Sequence, residues 1–251
     1  MFFDAHCHLQ DGRFGDGLEG VLDRADRAGV THMVCCGTRE ADWDAVLDLA
    51  RRKATVIPCA GLHPWYADTP AAGWQARLEE QFDAGALPGE CGLDFSDGRP
   101  PRDLQEAVLV DQLRMAVRRG LPVSLHCVKA SERLQAILAE TGLPAAGGLV
   151  HAFSGPPEVA QAFLDLGLHL SFGGALTRPG ARRAAASLVM VREDRLLFET
   201  DAPDLAPEGV AGPGEPAHIR LVAEAASRLR GWDVSSLAYA NAQRLFGRWA
   251  A

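Results

Sequence analysis

The 251-residue chain reads as one TIM-type (β/α)8 barrel, regular or distorted, forming a single domain over 1–251. Three observations lead there. Short apolar segments alternate repeatedly with stretches of helical period. No linker rich in Ser or Pro divides the chain. The first apolar segment runs into His6-Cys7-His8-Leu9-Gln10-Asp11-Gly12, not into the glycine-rich phosphate turn that opens a doubly wound sheet.

The predicted strands are Phe2–Leu9, His32–Thr38, Thr55–Leu62, Ala86–Phe95, Pro122–Cys127, Gly148–Phe153, His169–Gly174 and Leu196–Asp201. Between them lie amphipathic helices. Leu109, Leu113, Ala116 and Val117 share one helical face, and Leu134, Ile137, Leu138 and Thr141 share another. Asp103 with Glu106 predicts a capping box at the start of the first of these, and Gly120 with Pro122 predicts its end. Ala206–Pro216, with its prolines and glycines, reads as a long loop after the eighth strand, where barrels build sites.

Composition narrows the function. An apolar fraction of 47% supplies one large core, and no run approaches the ~18 residues of a spanning helix. The opening MFFDAHCHLQ lacks the basic and apolar regions of a secretory signal. Cys7, Cys35, Cys36, Cys59, Cys91 and Cys127 form no CxxC pair, so they read as small buried hydrophobes of a reducing compartment, the cytoplasm. A net charge of -8 excludes a protein that coats nucleic acid by charge neutralisation. It leaves open an enzyme that acts on phosphodiesters with metal ions as its local positive charge.

The chemistry gathers at strand ends. Of the 8 histidines, His6, His8, His63, His126 and His151 fall at or just past the C-terminal ends of predicted strands, the catalytic face of a barrel. His6 and His8, two apart, point the same way into the mouth, while Cys7, Cys91 and Cys127 alternate away from their polar neighbours. Asp4, in phase with His6 but deeper, is expected to orient a ligand. Glu90 is a carboxylate inside an apolar strand, costly unless paired or metal-bound, and Asp201 ends the eighth strand. Four imidazoles (His6, His8, His126, His151) and two carboxylates exceed the needs of one tetrahedral zinc and suit two divalent ions sharing a ligand. Nitrogen-rich ligation favours Zn first, then Mn, Fe or Co, with Mg where phosphate oxygens complete the shell. No GxSxG, Walker loop or GxGxxG occurs.

These residues carry a resemblance. The chain from Phe3 to about Gly247 resembles the TatD-like metal-dependent hydrolases. The motifs are Asp4-Ala5-His6-Cys7-His8-Leu9, Gly61-Leu62-His63-Pro64, Gly89-Glu90-Cys91-Gly92-Leu93-Asp94-Phe95, Pro122-Val123-Ser124-Leu125-His126, His151-Ala152-Phe153-Ser154-Gly155, Glu199-Thr200-Asp201-Ala202-Pro203 and Asn241-Ala242-Gln243-Arg244-Leu245-Phe246. The resemblance implies a two-metal barrel acting as a deoxyribonuclease, with His6, His8, Glu90 and Asp201 on one ion and Glu90, His126 and His151 on the other. His63 would then face the substrate phosphate. Two departures stand out: Lys129 is the only nearby cation where many members carry Arg after His126, and Glu215 precedes Pro216 where many carry Asn.

The expected mechanism has Asp201 as general base toward a water activated by the metal pair, with Glu90 and His63 also catalytic. His63, Lys129 and Trp65 would contact substrate, Trp65 by stacking on a base of single-stranded DNA. Two alternatives stay open: a two-metal hydrolase of a small carboxylic ester, lactone or cyclic amide, and a catalytically silent barrel that serves as a binding protein.

Overall fold

The computed structural model describes residues 1–249. Parallel strands alternate with helices: β1 (Phe2–Cys7), α1 (Leu18–Arg27), β2 (Val30–Cys36), α2 (Trp43–Arg52), β3 (Val56–Ala60), α3 (Trp74–Asp83), β4 (Leu87–Pro88), β5 (Cys91–Asp94), α4 (Arg102–Arg119), β6 (Val123–Val128), α5 (Ser131–Thr141), β7 (Gly148–Val150), α6 (Pro157–Asp165), β8 (His169–Phe172), α7 (Arg182–Met190), β9 (Leu196–Phe198), α8 (Ile219–Arg230) and α9 (Ser235–Phe246). The expected barrel is present and distorted. The predicted fourth strand Ala86–Phe95 is broken in two: β4 continues the sheet β1-β2-β3-β4, and β5 begins the sheet β5-β6-β7-β8-β9.

Both seams between these sheets are stitched by backbone at the C-terminal ends of the strands. On one side Gly89 N donates to Ala60 O (3.0 Å) and Glu90 N to Gly37 O (3.2 Å). On the other, Asp201 N donates to His6 O (2.9 Å) and His8 N to Ala202 O (2.7 Å). The break depends on glycine. Gly92 has φ +152, and a Cβ there would stand 2.0 Å from His126 O, so only a bare backbone lets β5 lie against β6.

Two cores result. Outward residues such as Cys7, Cys91, Leu93, Val123, Leu125 and Leu170 pack under the helices. Inward residues Phe3, Ala5, Val34, Ile57, Leu87, Leu149 and Leu197 fill the barrel, which α9 closes with Ala242, Leu245 and Phe246. Asn241 ties that helix down by donating to Glu193 O (2.7 Å) and Leu196 O (2.8 Å). The predicted helical faces hold: Leu109, Leu113, Leu134 and Ile137 are fully buried. The capping box does not form. Helix α4 begins after Pro101 with no side-chain cap, and Glu106 instead accepts from Arg133 (2.7 Å). Among the described residues, no helix is long and apolar enough to cross a membrane.

At the N-terminal end of the barrel, far from the strand ends, His169 is 7% exposed with Nδ1 3.3 Å from Gly148 O. Burial, helped by the Arg195 charge, pushes its imidazole from 6.5 down to about 4. The unfolded chain therefore takes up a proton that the folded chain refuses, so stability falls as pH drops through the window from 6.5 to about 4. Chemical denaturation should show wild type losing about 2–3 kcal/mol more than His169→Gln between neutral and weakly acidic pH. Equal losses would place the destabilising protonation elsewhere.

Candidate metal centre

The site grows from the two stitched seams. The alternation that puts His6 and His8 in one phase is offset from the rest of β1 by an irregularity between Asp4 and Cys7. Phe3 and Ala5 face the barrel interior, and past the irregularity His6 and His8 turn into the mouth. Asp4 does not reach a ligand ring, but its Oδ1 accepts the backbone N–H of His6 (3.3 Å). Its carboxyl, fully buried and raised to about 8 by that burial, accepts Thr200 N (2.9 Å) and faces Thr200 Oγ1. It locks β1 to the segment carrying Asp201, whose backbone holds the left-handed φ of 55.

Four of the ligand atoms converge at this seam. His6 Nε2 lies 3.3 Å from His8 Nε2 and 3.3 Å from Glu90 Oε2. His8 Nε2 lies 3.4 Å from Glu90 Oε2 and 3.2 Å from Asp201 Oδ1, and His6 Nε2 3.8 Å from Asp201 Oδ1. Glu90's other oxygen faces a second set. Oε1 lies 2.8 Å from His126 Nδ1 and 2.8 Å from His151 Nε2, which are 3.1 Å apart. All six predicted ligands thus meet, with one carboxylate between two groups of imidazoles.

The donor set fits a cation. Zn–N bonds of about 2.0–2.1 Å in a tetrahedron set neighbouring ligand atoms ~3.3–3.4 Å apart, close to four of the five spacings in the first group, with His6 to Asp201 wider at 3.8 Å. The second group closes to hydrogen-bond distance and must part by a few tenths of an ångström. Tautomers give an independent test. His8 Nδ1 lies 2.8 Å from Cys36 O, which only accepts, so Nδ1 carries the hydrogen. A neutral His8 then aims the Nε2 lone pair at two carboxylate oxygens, an arrangement that only a cation or a proton relieves. Burial opposes charge throughout the cluster, yet the Asp201 and Glu90 carboxylates raise His8 to about 9, and the surrounding imidazoles hold Glu90 well below the carboxylate range. His151 is likewise pushed well up against its burial by Glu90 and Glu199.

His63 differs. Trp65 N donates to its Nδ1 (3.2 Å), so the neutral ring carries its hydrogen on Nε2, 3.3 Å from Glu90 Oε1. Burial lowers it to about 4, which keeps it neutral. His63 is close enough to join a ligand cluster with Glu90 and His126, but its tautomer makes it a donor. The supports behind the ligands are what sequence reasoning missed. Ser124 Oγ lies 2.8 Å from His6 Nδ1, Asp94 Oδ2 3.6 Å from His126 Nε2, and Glu199 Oε1 3.5 Å from His151 Nδ1 while accepting Ala152 N (2.8 Å). Ser124 was findable, since it sits two residues before His126 on the same strand face; Asp94, four residues past Glu90 and beyond the break between β4 and β5, carried no such signal.

A cavity of about 640 Å³ opens above the cluster. His8, His63, Glu90, His126, His151 and Asp201 reach it, and Trp65, Tyr66, Arg13 and Arg39 line its walls. Trp65 is 43% exposed, with Nε1 donating to Asp94 Oδ2 (2.6 Å) and Arg99 over its ring at 3.7 Å. Both departures from the family pattern lie outside the cavity lining. Lys129 is exposed, with φ 52, and is not among the residues lining this cavity. Glu215 is held by Arg24 (2.7 and 2.9 Å) at the start of the turn before α8, also outside the cavity lining. Of the cysteines, Cys36 is not turned away from the ligands: its Sγ is 3.4 Å from His6 Nδ1.

A parallel α/β barrel that gathers imidazoles and carboxylates at its C-terminal rim is built as a metal-dependent hydrolase. More narrowly, a family profile described as TatD related DNase matches residues 3–247, and the chain belongs to that family. It is 35% identical to the 3'-5' ssDNA/RNA exonuclease TatD of Pantoea ananatis, over 98% of this chain and 99% of that protein. It is 32% identical to the uncharacterized metal-dependent hydrolase YabD of Bacillus subtilis, over 98% and 99% of the two chains. The crystal structure of YjjV, a TatD homologue from Escherichia coli K12, superposes with a TM-score of 0.93 at 30% identity, covering 98% of each chain.

If Ser124 positions His6, Ser124→Ala should weaken divalent-ion binding about 10- to 100-fold while leaving the fold intact. Competition against a chelating dye measures this. Unchanged affinity would show that the hydroxyl is only packing.

Proposed function

We propose that the protein is a two-metal phosphodiesterase that shortens single-stranded DNA or RNA from the 3' end. The observation that carries the reading is Glu90, whose two oxygens face separate imidazole groups at the floor of an open cavity. His6, His8, Glu90 and Asp201 would hold one divalent ion, and Glu90, His126 and His151 the other, with Zn first among the candidates and Mn, Mg, Fe or Co as alternatives. Such ions supply an acidified water and positive charge for the phosphate oxygens. The exonuclease name of the Pantoea relative supports the substrate class and direction. Six free cysteines, five of them buried, suit a cytoplasmic setting.

The chain's own groups divide the work. Asp201 turns Oδ1 toward His8 and His6, which leaves Oδ2 for a water at the cavity floor. As general base it takes that water's proton while the water oxygen bonds to phosphorus and the bond to the leaving oxygen breaks; the leaving oxygen then takes up a proton. His63, held neutral with its hydrogen on Nε2, donates to a non-bridging oxygen and stabilises the charge that builds there. Trp65, rigid under Arg99, offers a ring for a base to stack on.

The test is a 5'-labelled oligonucleotide beside a panel of carboxylic esters, each with Mg, Mn, Co and Zn. A ladder shortening from the 3' end is expected; ester hydrolysis without any shortening would overturn the reading. Asp201→Asn should lower turnover by about 10²–10⁴-fold with the thermal midpoint nearly unchanged. His63→Gln, which can still donate, should retain more activity than His63→Ala, and the reverse order would remove His63 from the reaction.

A further inference from the structure

A site for a phosphodiester needs positive charge at its mouth as well as at its floor, and the cations around this mouth are mostly engaged. Arg13 lines the cavity, but its guanidinium donates to Asp11 (2.9 and 2.8 Å) and to Asp204 (2.8 and 2.8 Å), so two carboxylates neutralise it. Arg99 lies on the Trp65 ring and 3.4 Å from Asp94. Lys129 stands outside the lining.

Arg39 is different. It lines the cavity, is exposed, and forms no ion pair among the described residues. Its Cζ sits 5.2 Å from the centre of the Tyr66 ring, a cation–π distance that holds the guanidinium at the rim without neutralising it. The loop beneath is rigid. Asp42 accepts Thr38 N (3.0 Å), Thr38 Oγ1 (2.9 Å) and Arg39 N (3.2 Å), so that carboxylate is spent on backbone and hydroxyl. Glu40 is spent on Ala71 N (2.8 Å). Thr38 O in turn accepts His63 N (2.8 Å), which ties the loop of Arg39 to the donor that faces Glu90. Elsewhere the lining includes the uncharged Val128, Ala152, Ser154, Ala175 and Leu205, and its carboxylates Asp11 and Asp204 are held by Arg13.

We propose that Arg39 binds a backbone phosphate of the single strand, in place of the cation expected after His126, and so makes the site selective for anionic phosphodiesters over neutral esters. The proposal rests on the nuclease reading above and adds the residue and wall that read the substrate. The phosphate lies on the side of the mouth formed by the loops after β2 and β3, beside the Trp65 ring. A planar guanidinium can grip two phosphate oxygens at once, which an ammonium cannot.

The test uses the metal-loaded protein and a phosphorothioate oligothymidine that resists cleavage, with binding followed by fluorescence anisotropy across a salt series. Kinetics on the normal oligonucleotide separate KM from kcat. Arg39→Gln should raise Kd and KM about tenfold, leave kcat within about threefold, and flatten the slope of log affinity against log salt by about 0.7, the loss of one phosphate contact. Arg39→Lys should restore the slope but not the full affinity. Lys129→Gln should change none of these. The proposal is overturned if Arg39→Gln keeps the wild-type slope and Kd, or if the loss falls on Lys129→Gln instead. Wild-type protein that neither binds nor cleaves the oligonucleotide would overturn the nuclease reading and this proposal with it, a result distinct from a variant-specific one.

Discussion

Everything at this rim depends on a single buried carboxylate placed between two groups of imidazoles. Glu90 is 2% exposed, and burying its charge would cost several kcal/mol without compensating positive charge. Without a metal, His8 and His151 meet that demand by holding protons, while the tautomers of the neutral rings are set by their neighbours. His8 must keep a hydrogen on Nδ1 for Cys36 O, while His63 must leave Nδ1 bare for Trp65 N. Divalent ions would take the place of the protons that His8 and His151 otherwise draw toward Glu90, so metal binding and proton release at this rim are coupled.

The fold pays for that carboxylate by breaking its own sheet. A continuous fourth strand would alternate side chains in and out with no freedom to aim Glu90. Splitting it into β4 and β5, with Gly92 against His126 O, lets Glu90 sit at the turning point and still donate its backbone N–H to Gly37 O. The second seam is handled alike: the irregularity in β1 turns His6 and His8 toward the mouth, and the Asp4–Thr200 contact holds Asp201 within reach of them. Both irregular places supply ligands, His6 and His8 at one and Glu90 at the other, where departures from ideal geometry are expected, while His126 comes from β6 and His151 directly follows β7.

Much of this was legible in the chain. Strand periodicity and the clustering of histidines at strand ends identified the barrel and brought together His6, His8, Glu90, His126, His151 and Asp201. What escaped was whatever period alone cannot encode. Alternation along Phe2–Leu9 assumes no bulge, so it linked Asp4 to His6 and gave no sign that the same carboxyl holds Thr200. The spacing of Asp103 and Glu106 fits a capping box, but Arg133 from the next helix competes for Glu106. Proximity in sequence made Lys129 the cation of the site; Lys129 is not among the residues that line the cavity, and Arg39, from a loop 90 residues earlier by number, is. Contacts between distant loops leave no local signature.

The most direct measurement is anomalous diffraction from crystals grown with Zn or Mn. The account requires two peaks ~3.5–4 Å apart, one oxygen of Glu90 on each. A single peak, or a pair that Glu90 does not touch, would contradict it.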